Sequence, residues 1–208
     1  MTTDLTSIPT SNFVEILTQA AFAYQTPSQE RPSANTIVDA LLAAEKAAKQ
    51  QKLEYPFTPL LGQWRLCFAT GTRKVRQRGG IILGKGYFWP KFIPAYISFS
   101  AETENLAQTP SPGEISNQLK LGAFLLKFTG LAKYLGKKNI LAFDFTKIQI
   151  SLFGRVIYHG NFRSQSQAEN FFNQPVAKLP FFAFFLVTED FIAARGRGGG
   201  LALWVKEK

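Results

Sequence analysis

The sequence predicts a mainly β protein, an antiparallel β-barrel of about eight strands with an N-terminal helical appendage. Three observations carry this. From residue 60 onward apolar and polar side chains alternate in short stretches, separated by Gly, Pro or Lys-rich breaks with no long helical pattern between them. Ahead of residue 56 the apolar residues instead recur at helical spacing. The 208 residues are 46% hydrophobic and 18% charged, enough apolar material for one sizeable core and too little charge for a disordered chain. A meander of this many strands removes its exposed edges by closing on itself, and a two-sheet sandwich is the rival arrangement. Residues 1–55 are read as a helical segment packing on the barrel and residues 56–208 as the barrel.

The first helix is marked by Phe13, Ile16, Leu17, Ala20, Ala21 and Tyr24, one stripe at helical spacing, with Asn12 and Glu15 placed as a cap pair. The run Thr26–Ser33, with Pro27 and Pro32, ends it. A second helix starts near Ala34 with Ile37, Val38, Leu41, Leu42 and Ala48 on its apolar side, and Pro56 and Pro59 close the helical part. The first strand sets Trp64, Leu66 and Phe68 on one face and Gln63, Arg65 and Cys67 on the other. Further strands are predicted at Gly80–Phe88, Phe92–Ser100, Gln118–Phe128, Ile140–Phe153, Arg155–Phe162, Phe181–Arg195 and Gly200–Lys206. The polar run Gln165–Asn173, with Ala168, Phe171 and Phe172, reads as one short helix. Phe181–Val187 is apolar on both faces, so it needs a cover outside the barrel as well as a neighbour inside, and the N-terminal helices are that cover.

A net charge of +10, from 24 basic and 14 acidic residues, calls for a polyanionic neighbour, either an anionic lipid surface or nucleic acid. Arg73, Lys74, Arg76, Arg78, Lys85 and Lys91 fall in one acid-free run beside Tyr87, Phe88, Trp89 and Phe92. Basic residues near an anionic membrane contribute about 1 kcal/mol each, and Trp and Tyr favour the headgroup level. Arg73, Lys74, Arg76, Arg78, Tyr87 and Trp89 are therefore the membrane-docking candidates. A second acid-free stretch adds Lys120, Lys127, Lys133, Lys137 and Lys138. Nucleic acid is not the expected partner, because no RNP-type motif accompanies the charge.

Chemistry finds little purchase. Cys67 is alone, which excludes an internal disulfide and a cysteine cluster, and His159 is the only histidine, which excludes a His-rich metal site. Gly-x-Ser-x-Gly, phosphate-loop and dinucleotide fingerprints are absent. No catalytic or metal-ligating residue is assigned, and the expectation is a binding or structural protein. Met1–Thr10 has neither the basic start nor the apolar stretch of a secretory signal, and the longest apolar run, Leu179–Val187, is too short to span a bilayer as a helix. The chain is expected to be cytoplasmic, touching membrane peripherally.

The segment Leu60-Leu61-Gly62-Gln63-Trp64-Arg65-Leu66-Cys67-Phe68-Ala69-Thr70 resembles the opening strand of the plastid lipid-associated proteins, or fibrillins. That strand typically reads Leu-x-Gly-x-Trp-Arg-Leu followed by an aromatic and Thr; Gly-x-Trp is also the first-strand signature of lipocalins. Glu189–Gly196 followed by Leu201–Val205 is similar to the family's closing hairpin, where an acidic pair leads into Arg-Gly and a final apolar strand. The order of helical stretch, Trp strand and closing hairpin also matches, so the resemblance spans most of the chain. Arg197 stands where the family commonly has Asp, and several bulky positions hold Phe.

The resemblance implies a lipocalin-like barrel of the cyanobacterial type. Such a protein sequesters or shuttles a carotenoid, quinone or lipid at thylakoid-type membranes or lipid droplets, in a photoprotective role. It requires no cofactor, and its partners are anionic membrane lipids and an apolar small molecule. A lipocalin-fold accessory protein resembling bilin lyases, or a basic nucleic-acid module, is the alternative. Within this frame Gly62, Trp64, Arg195 and Gly196 are the barrel-closure residues, with the Arg195 guanidinium lying over the Trp64 indole. Phe68, Phe124, Phe145 and Phe184 are the inward-facing candidates for a pocket lining.

Overall fold

A computed structural model of the chain describes residues 12–26, 30–75, 80–102, 106, 110–161 and 170–207, with the side chains of residues 72–83 outside that description. The helical period at the start yields α1 (Asn12–Gln25) and α2 (Ala34–Gln51). Ser33 caps α2, its hydroxyl accepting from the Thr36 N–H at 3.1 Å, and Lys52 ends it in the left-handed conformation. The two-residue period that follows yields β1 (Gly62–Val75), β2 (Gly80–Phe88), β3 (Ala95–Ser100), β4 (Ser111–Leu121) and β5 (Phe124–Leu135). After these come β6 (Ile140–Leu152), β7 (Arg155–Asn161), β8 (Phe181–Val187), β9 (Phe191–Gly196) and β10 (Leu201–Lys206).

Eight of these strands close a ring in the order β1, β3, β4, β5, β6, β8, β9, β10 and back to β1, every pair antiparallel. The seam runs from Trp64 opposite Lys206 to Ala69 opposite Ala202. The other two strands lie off the ring. β8 takes only the lower part of β6, Ile140–Ala142, and β7 takes the upper part from Lys147 to Leu152. β2 likewise pairs with the upper half of β1. At one end of the barrel, the mouth, two projections therefore rise past the rim: the β1–β2 hairpin, and an arm in which β4, β5 and β6 run on beside β7.

The predicted strand Gln118–Phe128 is two strands, because Gly122 at φ +56° and Ala123 form a tight turn that the continuous apolar pattern conceals. Phe181–Arg195 also divides, at Thr188–Asp190, where the Thr188 hydroxyl accepts from the Phe191 N–H at 3.0 Å. Of the helix predicted over 165–173, residues 162–169 lie outside the described residues and residues 170–173 form a turn.

The apolar side chains sort into two main bodies. One fills the barrel, from Leu60, Trp64 and Tyr134 up through Phe99, Phe143 and Phe184. The other lies outside it, where Leu17, Tyr24, Ile37 and Leu41 of the helices cover Cys67, Phe185, Leu203 and Val205. Phe181–Val187 is thus covered on both faces, with Phe184 and Val187 inward and Phe185 and Leu186 under the helices. Consecutive residues share the outer face because β8 bulges there, its register slipping between Phe184 and Leu186.

Candidate functional site

The lower half of the barrel is solid. Leu60, at the end of a short 3-10 turn, lies under the ring, and its carbonyl accepts from the fully buried Trp64 indole N–H at 2.7 Å. Phe57 stacks on Tyr134 at 5.0 Å, and the Tyr134 hydroxyl donates to the Tyr55 carbonyl at 2.8 Å. Burial pushes the Tyr55 phenol up to about 12 and raises Tyr134 as well, so both stay neutral at physiological pH. Above them a chain of rings climbs the interior. Phe99 meets Phe184 at 5.9 Å, Phe143 stacks on Phe182 at 5.1 Å, and Phe182 meets the edge of Trp204 at 5.5 Å.

There the filling stops. Phe182 and Trp204 belong to the walls of an open cavity of about 360 Å³ at the mouth. Leu66 and Ala69 of β1, Ala202 of β10, Ile97 of β3, Leu119 of β4, and Leu126 and Phe128 of β5 complete most of the lining. Trp89 stands at the rim, with its indole N–H donated to the Ile93 carbonyl and its ring 6.2 Å from Tyr87. Asn117 supplies the side-chain polarity, while the Tyr96 phenol turns to the outer face beside Arg65 and Glu207; among the described residues no carboxylate, ammonium or guanidinium lines the space. The arrangement can desolvate an apolar group and orient it with a hydrogen bond from Asn117; among the described residues it presents no acid–base pair.

The structure distributes the predicted pocket residues unevenly. Phe184 is buried inside the barrel beneath the cavity, and Phe145 packs on the same interior, 5.7 Å from Phe128. Phe68 is outside. A β-bulge at Cys67 slips the register between Leu66 and Phe68, so Phe68 turns onto the helical side, edge-on to Phe88 at 5.5 Å. Phe124 lies beyond the rim at the tip of the arm, exposed. The residues missed, Leu66, Leu126, Phe128, Phe182 and Trp204, each stand two positions along a strand, on the same face, from an inward residue such as Trp64 or Phe184; strict alternation finds them once the bulges are known.

The closure residues also change partners. The cation over Trp64 is Lys206, with its ammonium 4.2 Å from the ring centroid and donating to the Leu61 carbonyl at 2.7 Å. Lys206 reaches this place because Gly62, at φ +106°, has no side chain; a Cβ there would sit 3.1 Å from the ammonium. That is the physical sense of the Gly-x-Trp element here. Arg195 instead forks onto Glu45 of α2 through Nε and Nη2, at 2.8 and 2.5 Å, and clamps a helix to the barrel. The hydrogen bond from Arg195 and, less strongly, the one from Lys49 hold the Glu45 carboxyl below its usual range. Gly196 ends β9 at the rim, its N–H bonded to the Gly200 carbonyl at 2.9 Å.

Of the basic membrane candidates, Arg76 and Arg78 lie outside the described residues, as do the side chains of Arg73 and Lys74. Tyr87 and Trp89 stand at the mouth. The second basic stretch does not form one patch. Lys120 and Lys127 lie on the arm, Lys137 and Lys138 at the opposite end of the barrel, and Lys133 is buried, its ammonium donating to the Phe171, Phe172 and Gln174 carbonyls at 3.0, 3.0 and 2.6 Å. Cys67 and His159 are far apart in the topology. The thiol lies under α1, pushed up to about 12 by burial, and His159 is exposed on β7. Among the described residues no helix is long and apolar enough to cross a membrane. No family model, no curated protein and no solved structure matches the chain.

Proposed function

We propose that this chain is a fibrillin-like carrier that holds part of an apolar molecule in its barrel mouth while touching membrane peripherally. The observation that carries the reading is the half-filled barrel. Rings occupy the base, and above them an apolar space of about 360 Å³ is left open, at the lower end of the size range of small-molecule sites. A core under pressure only for stability closes such a space with side chains. Among the described residues the lining carries no charged pair, which favours a carotenoid, quinone or lipid over a tetrapyrrole carboxylate. A volume of this size takes one end of a long ligand and leaves the rest outside the rim, so a thylakoid-type membrane or lipid droplet is the natural donor and acceptor. Photoprotection would follow from sequestering pigments or quinones in this way.

The test is titration with a fluorescent polyene fatty acid in vesicle-free solution, read as energy transfer from Trp89 and Trp204 in the cavity wall. Saturable transfer is expected, together with its loss in Ala202→Trp, which fills the mouth from β10. Absence of saturable transfer, or an A202W variant that binds as well as the wild type, would overturn the reading.

A further inference from the structure

The inner wall of the barrel does not end at the rim. It continues along the arm of β4, β5, β6 and β7, and this arm carries apolar side chains where a soluble hairpin carries polar ones. Its two turns are neighbours: Phe124 pairs with Leu152, and the Phe153 N–H donates to the Ala123 carbonyl at 3.0 Å. Phe153 stands at the tip, 81% exposed and at φ +49°, a backbone that Gly, Asn or Asp adopts with less strain than a bulky residue. The turn gains nothing from an aromatic ring there, and the described residues leave the ring in solvent.

Leu121, Phe124 and Leu152 lie directly opposite one another on one face of the tip, all exposed. Val156, opposite Ser151, is exposed on the other face. A tip that is apolar on both faces suits immersion in a medium rather than contact with one flat protein surface. The charge around it agrees. Lys120 and Arg155 flank the apolar positions, and Lys127 and Lys147 follow roughly 10–15 Å behind on the same strands. Residues 115–143 and 145–161 contain no Asp or Glu. The carboxylate lining the adjoining outer groove is that of Glu207, on the barrel wall beside Tyr96.

We infer that the β4–β7 arm is the surface by which the protein docks on an anionic bilayer, the apolar tip entering the headgroup–acyl boundary and the four cations meeting lipid phosphates. The inference rests on the carrier reading above and adds an orientation to it. Leu119, Leu126 and Phe128 of the same arm line the cavity, so docking sets the mouth against the bilayer and joins lipid to cavity by one apolar wall.

Flotation with phosphatidylcholine–phosphatidylglycerol vesicles and with phosphatidylcholine alone tests this. The wild type binds the anionic vesicles in a salt-sensitive manner. Phe153→Asp combined with Val156→Asp weakens binding by about tenfold or more; both side chains are exposed, and Asp tolerates the Phe153 backbone, so an unchanged unfolding midpoint verifies the fold. Lys120→Gln with Arg155→Gln lowers the salt sensitivity, and Lys137→Gln with Lys138→Gln, at the opposite end, changes neither.

Phe153→Cys carrying an environment-sensitive dye shifts to the blue on vesicles, and Lys137→Cys does not; the native Cys67 is buried under α1 and leaves the label site-specific. Unchanged flotation of the double Asp variant, or a blue shift at 137 in place of 153, overturns the inference. So does a concentration-dependent dimer, without vesicle binding, that the double Asp variant abolishes; the occupant is then a second copy. A wild type that takes up the polyene probe but ignores vesicles defeats the docking inference alone, and one that does neither defeats the carrier reading as well.

Discussion

β5 and β6 carry the same kinds of side chain at their two ends and use them in opposite ways. At the base Ala132, Tyr134, Leu141 and Phe143 are buried, enclosed by the rest of the ring and by the turn that bears Leu60. At the arm Phe124 and Leu152 pair across the same two strands and remain exposed. The kinds of side chain do not change along the way, and the two-residue period is interrupted only by a bulge at Thr146 of β6; what changes is the number of neighbouring strands. At the base β6 is joined through β8 to a closed ring, and at the arm it has only β5 and β7 beside it. Burial is thus a property of where the ring closes. The base contributes stability, whereas the arm offers the same apolar surface to something outside the chain.

Mutation can break this contrast. The largest effect is expected from Trp64→Ala, which empties the base and removes the bond to Leu60, at a cost of about 4 kcal/mol in denaturant unfolding. A smaller one attends Glu45→Gln, which leaves the Arg195 guanidinium without its carboxylate between helix and barrel. Both side chains are largely covered, at 11% and 29% exposure, and about 2 kcal/mol is expected. Its pH dependence has a definite sign. Because the folded carboxyl titrates below the usual 4.5, its contribution is complete above that value and is lost as the pH falls through the lower folded value. Thermal melts of wild type and E45Q should therefore differ at neutral pH and converge in acid. The smallest effect belongs to Phe153→Asp, expected within about 0.5 kcal/mol of wild type despite the loss of a large apolar ring. If F153D destabilised the protein as much as W64A, the arm would be core and the contrast would fail.

The period of the sequence made the barrel legible, and the apolar stripes of the helices made their packing legible, since both depend on local spacing alone. The bulge at Cys67 was not legible, because one inserted residue leaves the alternation intact on either side while moving Phe68 from inside to outside. The turn at Gly122 was hidden for a related reason: Leu121 and Phe124 continue one apolar face across it. Sequence points to Arg195 rather than Lys206 as the cation over Trp64 because charge type is visible in a sequence and register is not. Lys206 lies directly opposite Trp64 in the seam, and Arg195 is on β9, with β10 between it and β1. The cavity at the mouth was the least legible feature, since it is set by where the stacked rings stop.

The seam also governs how the molecule is made. β1, the earliest strand of the ring, completes its pairing only with β10, the latest, so the ring must gather every other strand before it can shut. Contacts between residues so distant along a chain are slow to form, because the entropy of a long loop is lost before any bond across it is gained. Until that moment β1 and β10 each present a bare edge, on which a neighbouring chain can add a strand. The helices are translated first, yet α1 and α2 rest on β1, β8, β9 and β10 and gain their full seat only after those strands have met. Refolding should accordingly show one slow phase in which the fluorescence of the buried Trp64 and the docking of α2 rise together, and crowded refolding should lose yield at that step.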